Sequence, residues 1–208
     1  KRAKTVDIKY RVPSQGPVAH LVIDATGLKV YGEGEWKIRK HGKEKRRVWR
    51  KLHLAVDATT HAVIAAEVSL ETVADNEVLP TLLNPLRRKI KQVSADGAYD
   101  TKACHALLKK KGAKATIPPR KNAAPWEEDH PRNEAVTALK AGELKQWKKD
   151  SGYHQRSIAE TAMYRFKQLI GPTLSLRNYN AQVGEILAGV KVMNKLIGLG
   201  MPVRQPVN

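Results

Sequence analysis

A mixed α/β domain is what this sequence predicts, on three observations. Residues 18 to 69 contain three β-branched or alternating runs joined by short links. From Asp75 onward the period switches between helix and strand, and a strongly amphipathic helix follows a proline-broken stretch. The resulting order, β-β-β-α-β-α-β, an insertion, then a helix, gives a mixed five-stranded sheet flanked by helices, with the insertion ahead of the last helix that matters. The 208 residues suffice for one well-packed domain, or one domain with an insertion.

His20 to Ala25 is a short apolar run that reaches Asp24 and reads as a strand stopping at the Thr26-Gly27 turn. Trp49 to Asp57 alternates, with Leu52, Leu54 and Val56 on one face, and Ala58-Thr59-Thr60 turns it into a third strand over His61 to Ser69. Asp75-Asn76 reads as a helix cap before Val78, Leu79, Leu82, Leu83 and Leu86, which recur at helical spacing. Lys91 to Ala95 is a fourth strand halting at Asp96-Gly97. Asp100-Thr101 caps a helix carrying Ala103, Leu107 and Leu108 and closing at Gly112, and Ala113 to Ile117 is the fifth strand. Residues 118 to 150, broken by Pro118, Pro119, Pro125 and Pro131, read as an insertion or long exposed loop. Tyr153 to Ile170 is the amphipathic helix, Ala181 to Leu199 another apolar-periodic segment, and residues 201–208 a tail. The domain is expected over residues 18–200, after a leader, residues 1–17, left from a preceding region.

Composition narrows the function. Thirty-eight Lys and Arg against 20 Asp and Glu leave a net charge of +18, which argues against an enzyme for a small neutral substrate and for a polyanionic partner. No run approaches the roughly 18 apolar residues a membrane span needs, so no membrane partner is expected. Cys104 is the sole cysteine, which excludes an intrachain disulfide and a Cys-based zinc site and fits a reducing compartment. Neither a G-x-x-x-x-G-K-[ST] nor a G-x-G-x-x-G loop occurs, so no nucleotide cofactor is expected. The chain opens Lys-Arg-Ala-Lys, without initiator Met or signal peptide, and reads as the later part of a longer protein.

Asp24 and Asp96 each stand at the end of an expected strand. If the fourth strand joins the first by a helical crossover, the two run parallel and their carboxylates come side by side. Like charges that close predict a shared proton or a cation between them; as simple turn caps they predict neither. In a chain that seeks polyanions, Mg²⁺ is favoured, since it takes hard oxygen ligands and completes its shell with phosphate. On the amphipathic helix, about 100° per residue places Tyr153, Arg156, Glu160 and Lys167 within an arc of roughly 60°. Ile158, Ala159, Ala162, Met163, Phe166, Leu169 and Ile170 fill the neighbouring arc. Glu160 is thus placed to join the two aspartates, with Arg156, Lys167 and Tyr153 around it as phosphate holders. An ordinary i,i+4 ion pair between Arg156 and Glu160 is the competing account of the same spacing.

The spacing Tyr153-(2)-Arg156-(3)-Glu160-(6)-Lys167 resembles the Y-R-E-K signature of DDE transposases from bacterial insertion sequences. The stretches Leu-Val-Ile-Asp-Ala-Thr-Gly-Leu-Lys-Val around Asp24 and Ser-Ala-Asp-Gly-Ala-Tyr-Asp around Asp96 are similar to the first and second acid regions of the insertion-sequence-five group. The resemblance covers about residues 18 to 200. It implies a ribonuclease-H-like, retroviral-integrase-like catalytic domain, with Asp24, Asp96 and Glu160 as the metal-binding triad and Tyr153, Arg156 and Lys167 positioning DNA. It further implies two-metal chemistry with Mg²⁺, Mn²⁺ substituting, in which a water and then a DNA 3′-hydroxyl attacks a phosphodiester. The element end is nicked first and then joined to target DNA, by a homo-oligomer on paired ends in the bacterial cytoplasm at the nucleoid.

Between Lys37 and Lys51 nine Lys or Arg face one Glu, a net +8 in fifteen residues bracketed by Trp36 and Trp49. Lys37, Arg39, Lys40, Lys43, Lys45, Arg46, Arg47 and Arg50 are therefore expected in a phosphate-tracking arm. Lys109-Lys110-Lys111 suits a helix C-terminus. Asp57 is assigned to a turn, Asp75 and Asp100 to helix caps; Glu134, Glu143 and Glu185 lack a cationic stripe. Trp126 and Trp147 are expected to be structural, and the seven histidines structural or exposed. Two rival readings stay open: a nuclease of the same fold that cuts without joining, and a truncated, inactive fragment that binds DNA, since relatives usually carry an N-terminal DNA-binding region before the first acid.

Overall fold

In the computed structural model, which describes residues 5–11, 13, 16–30 and 48–200, strand β1 (Val18–Val30) is the axis of the sheet. On one side it pairs antiparallel with β2 (Trp49–Asp57), from Leu21↔Asp57 to Lys29↔Trp49. β3 (Val63–Leu70) continues this meander. On its other side the parallel strand β4 (Ile90–Ser94) covers only the first part, from Val18↔Ile90 to Val22↔Ser94. The far end, Lys29 and Val30, pairs with the two-residue strand β6 (Thr173–Leu174). Between Val22 and Lys29 neither β4 nor β6 pairs with that side of β1, and the gap holds the candidate site. The order is β3-β2-β1-β4-β5, with β5 (Lys114–Thr116) parallel to β4. This is the expected mixed sheet flanked by helices, with one short strand, β6, that two residues were too few to announce.

Alternation along β1 divides the core. Leu21 and Ile23 face α1 (Asp75–Leu83) and α2 (Lys102–Lys110), packing with Val78, Leu79, Leu82 and Leu108. Val22, Leu28 and Val30 face the other way, toward α5 (Ser157–Leu169) and α6 (Tyr179–Gly198), against Ala159, Met163, Phe166, Ile186 and Val190. With both faces covered, the central strands read as near-continuous apolar runs. His53, on β2, is fully buried and 2.8 Å from the Ser69 hydroxyl; burial lowers its pKa to about 4, so it sits in the sheet as a neutral ring.

Several expectations are corrected. β1 does not stop at Thr26-Gly27: with β2 alongside as far as Trp49, the ladder carries the chain on to Val30, so Asp24 lies within a strand. Gly27 serves a close approach instead, since a Cβ there would meet the Trp49 ring at 3.3 Å. Residues 118 to 150 are not a loop throughout. After Pro131, which precedes the first turn, helices α3 (Arg132–Lys140) and α4 (Leu144–Asp150) form, and Arg132, Ala135 and Val136 are buried. Thr101 alone caps α2, its hydroxyl accepting from the Cys104 amide, while Asp100 is engaged elsewhere. Asp75 opens α1 with no cap hydrogen bond and pairs with Lys51 at 2.9 Å. Asp57 does take the turn role, accepting from the Thr59 amide. The helix expected from Tyr153 begins as a 3-10 turn, Tyr153–Arg156, before α5, and Leu169 and Ile170 at its end are exposed rather than buried.

α5 and α6 meet at Gly189, where an added Cβ would lie 2.9 Å from both Ile170 Cγ2 and a Phe166 ring carbon. The fully buried Phe166 ring and a β-branched side chain cannot yield cheaply. Gly189→Ala is expected to destabilise the fold by about 1–3 kcal/mol, read as a lower urea midpoint at unchanged m.

Candidate active site

The register of β1 and β4 sets the two aspartates. Val22 pairs with Ser94, and two residues further along each parallel strand come Asp24 and Asp96. Asp24 has the parity of Val22, so its carboxylate faces the α5 layer. Its Oδ1 accepts from the Ala25 amide at 2.9 Å. β4 ends before Asp96, whose Oδ1 accepts from the Ala98 amide at 2.9 Å and caps the 3-10 turn Gly97–Tyr99. Both carboxylates are thereby anchored to backbone on one side only.

The third acid arrives on α5, fixed by its apolar face. Ala159, Ala162, Met163 and Phe166 are buried against the sheet, which turns the polar border of the helix toward the gap in β1. Ahead of α5 the chain leaves α4 through Gly152 at φ 70°, a left-handed turn, and enters the 3-10 turn. Side chains three apart eclipse in such a turn, which brings the Arg156 guanidinium to 5.9 Å from the Tyr153 ring centre. From there Arg156 donates Nη1 to Asp24 Oδ2 at 2.6 Å and Nη2 to Glu160 Oε1, bridging the two acids. Asp24 and Arg156 side chains are 18% and 19% exposed, Glu160 54%. The Arg156–Glu160 pair is therefore both the i,i+4 contact and a link to the first acid.

Electrostatics follow from that crowding. Burial pushes the Asp24 carboxyl above its ordinary value; the Ala25 amide and Arg156 oppose this, while the nearby Asp96 charge adds to it. Burial also raises the Tyr153 phenol. For Arg156 burial works against the charge, but Tyr153, Asp24 and Glu160 outweigh it and the guanidinium is held above its ordinary value. Among the described residues no three His, Cys, Asp or Glu side chains are grouped to hold a metal ion, and Glu160 is engaged by Arg156. Asp24 and Asp96 still fit a divalent cation: they are hard carboxylates placed by the register of two parallel strands, with the Asp96 charge acting on Asp24, in the set that Mg²⁺ shares with phosphate oxygens.

The sequence-predicted residues are thus only partly gathered. Asp24, Asp96, Tyr153, Arg156 and Glu160 share the gap; Lys167 lies in the last turn of α5, about 10 Å beyond Glu160 along the axis. Arg50 is turned to α6, donating to Gln182 Oε1 at 2.8 Å and lying 5.5 Å from the Tyr179 ring centre. Lys37, Arg39, Lys40, Lys43, Lys45, Arg46 and Arg47 lie outside the described residues. Lys148 was missed: on α4, its Nζ is 5.3 Å from the Tyr153 ring centre, adding a cation beside that ring. The only hint in sequence was its place five residues before Tyr153. Trp126 packs edge-on to His105, with 5.1 Å between ring centres, and lies 4.0 Å from the Arg132 guanidinium.

Comparison with known proteins gives this geometry a family. The family described as the transposase DDE domain matches residues 17–194. Among solved structures, the piggyBac transposase synaptic complex with hairpin DNA is similar at 14% identity over 91% of this chain and 50% of that chain, TM-score 0.47. A simian T-cell lymphotropic virus intasome in complex with a regulatory subunit is similar at 15% identity over 85% and 49%, TM-score 0.36. The chain spans about half the length of each.

Behind the second acid lies a buried ion pair that sequence reasoning assigned to a helix cap. Asp100 accepts from Arg132 Nε at 2.5 Å and Nη2 at 2.6 Å, and from the Arg120 amide at 3.2 Å. Arg120 in turn donates to the carbonyls of Gly97 and Ala98, in the turn that Asp96 caps. Although burial alone would raise it, the hydrogen bonds from Arg132, with the His105 ring 3.3 Å away, hold the Asp100 carboxyl well below its ordinary value. Its stabilisation is therefore present above the ordinary carboxylate range and lost as pH falls through and below it. Arg132→Ala is expected to cost about 3–5 kcal/mol at pH 7 by leaving Asp100 buried and unpaired. Urea titrations from pH 7 to pH 3 should show that difference shrinking toward acid.

Proposed function

Because the chain belongs to the transposase DDE domain family over residues 17–194, we propose that it is a transposase catalytic domain of the insertion-sequence-five group, cutting DNA at element ends and joining them to target DNA. The observation that carries this reading is the pair Asp24 and Asp96, in step at the open side of β1, with Glu160 linked to Asp24 through Arg156. Tyr153, Arg156, Glu160 and Lys167 act as the Y-R-E-K signature. Asp24, Asp96 and Glu160 hold Mg²⁺, or Mn²⁺ in its place. The bound cations supply an activated attacking oxygen and stabilise the leaving one at the scissile phosphodiester.

The chain's own residues do the rest. The Asp24 and Asp96 oxygens bound to backbone amides are fixed, so each carboxylate offers its other oxygen in one direction. Arg156 has a planar fork suited to a phosphate, and Lys148 and Lys167 place single charges to either side along the path of the strand. The half-exposed Glu160 keeps that path open to a substrate as bulky as a duplex. A net charge of +18 draws DNA to the site, with the basic run from Lys37 to Arg47 tracking the backbone. The active form is a homo-oligomer holding two element ends, working at the nucleoid. Among the described residues no helix is long and apolar enough to cross a membrane.

Incubated with Mg²⁺ or Mn²⁺ and DNA bearing the element ends, the parent chain is expected to give nicked and then joined products. Asp96→Ala and Glu160→Ala should each lose about a hundredfold or more of both while retaining DNA affinity. Cleavage at parental rate in both variants would sink the triad assignment; nicks without joined product would leave a nuclease. For the basic arm, changing Lys45, Arg46 and Arg47 together to Gln is expected to reduce the slope of log affinity against log salt by about 0.9 for each phosphate that is no longer neutralised.

A further inference from the structure

We propose that Arg156 stands in the place of a divalent cation between Asp24 and Glu160, and yields that place only when a DNA phosphate takes up its guanidinium. The inference rests on the reading of Asp24, Asp96 and Glu160 as cation ligands and adds to it an order of loading.

The occupancy of the oxygens argues for it. Asp24 Oδ1 is committed to the Ala25 amide at 2.9 Å, so Oδ2 is the oxygen left to face a cation, and Arg156 Nη1 holds it at 2.6 Å. The other arm of the same guanidinium holds Glu160 Oε1. An ion entering between these acids meets a fixed positive charge in hydrogen-bond contact with two of its three ligands. It must either accept that repulsion or displace the arginine.

Arg156 has somewhere else to go. A phosphate offers the same planar, two-oxygen partner that a carboxylate does, and Arg binds it by the same fork. The side chain is 19% exposed and its partner Glu160 54%, so the outward side of the bridge is open to solvent and to a passing strand. Tyr153 and Lys148 border the arginine on the α4 side, with the Lys148 Nζ 5.3 Å and the Arg156 guanidinium 5.9 Å from the Tyr153 ring centre. A phosphate there lies among two cations and a phenol. Once Arg156 has turned to it, Glu160 and the free Asp24 oxygen join Asp96 as a three-carboxylate set. DNA and metal then raise each other's affinity by the same factor, since linkage is reciprocal. The acids stay without metal until DNA is present.

The test is Mn²⁺ binding, followed by the paramagnetic signal of the free ion, to the parent chain, Arg156→Gln, Lys148→Gln, Asp24→Asn and Asp96→Asn. Each is measured alone and with a short duplex, uptake by the duplex itself being subtracted. Without DNA, Arg156→Gln is expected to bind Mn²⁺ about tenfold more tightly than the parent, a typical coupling for two sites that exclude one another. Lys148→Gln removes the same charge next door without freeing a carboxylate, and its gain should be clearly smaller. The duplex should tighten Mn²⁺ binding to the parent by clearly more than to Arg156→Gln, where the phosphate adds a ligand to the cation but displaces no arginine. Arg156→Lys, whose single ammonium cannot span both acids, should fall between parent and Gln variant, and decides the matter if the Gln variant does not fold. Equal or weaker Mn²⁺ binding by Arg156→Gln, or a gain no larger than that of Lys148→Gln, overturns the exchange. Parental Mn²⁺ binding by both Asp24→Asn and Asp96→Asn would instead overturn the assignment of the acids.

Discussion

Two carboxylates brought into step at the open side of β1 constrain everything around them. Asp24 and Asp96 follow the last paired residues of two parallel strands, Val22 and Ser94, so they cannot avoid each other by a change of register without moving the core. Burial, and the Asp96 charge added to it, work against the charged form of Asp24. A fold that retains such a pair has to supply positive charge, and this one brings Arg156 to it on the α5 side.

Delivering that charge is a packing problem. Arg156 sits at the joint between a 3-10 turn and α5, and the joint is placed by the apolar face of α5 against β1 and β2. Full burial of Phe166 contributes roughly 1.5–3 kcal/mol, far more than the few tenths of a kcal/mol typical of an exposed i,i+4 ion pair. The core therefore positions the helix, and the ion pairs follow from its placement. The second acid is held by a different device. Its turn is tied through Arg120 to Asp100, and Asp100 to Arg132 of α3, so the segment after the fifth strand reaches back to support the site.

Much of the site was legible along the chain. Glu160, Arg156 and Tyr153 were found because helical spacing is a local property, and Asp24 and Asp96 because each follows a short apolar run. Local patterns also misled. Thr26-Gly27 has the composition of a turn, yet β2 pairs through it, and a ladder of cross-strand bonds overrides the preference of two residues. The prolines between residues 118 and 131 concealed the two helices that follow. Asp100 next to Thr101 looked like a cap because its partner, Arg132, is 32 residues away. Lys148 carried no pattern of its own; only the left-handed turn at Gly152 folds α4 back so that it meets Tyr153.

What the sequence by itself determined was the order of elements as far as the fifth strand, the basic character, and which acidic and basic residues were candidates to meet, since these rest on periodicity, composition and spacing over a few residues. What only the tertiary structure decided was their mutual arrangement. It let β1 run on past its glycine, left a gap between β4 and β6, and set Arg156 across Asp24 and Glu160. The reason is that contacts between distant residues depend on which strands pair and on which helix face finds a core. Both are settled by burial summed over the whole domain, which no short stretch of sequence displays.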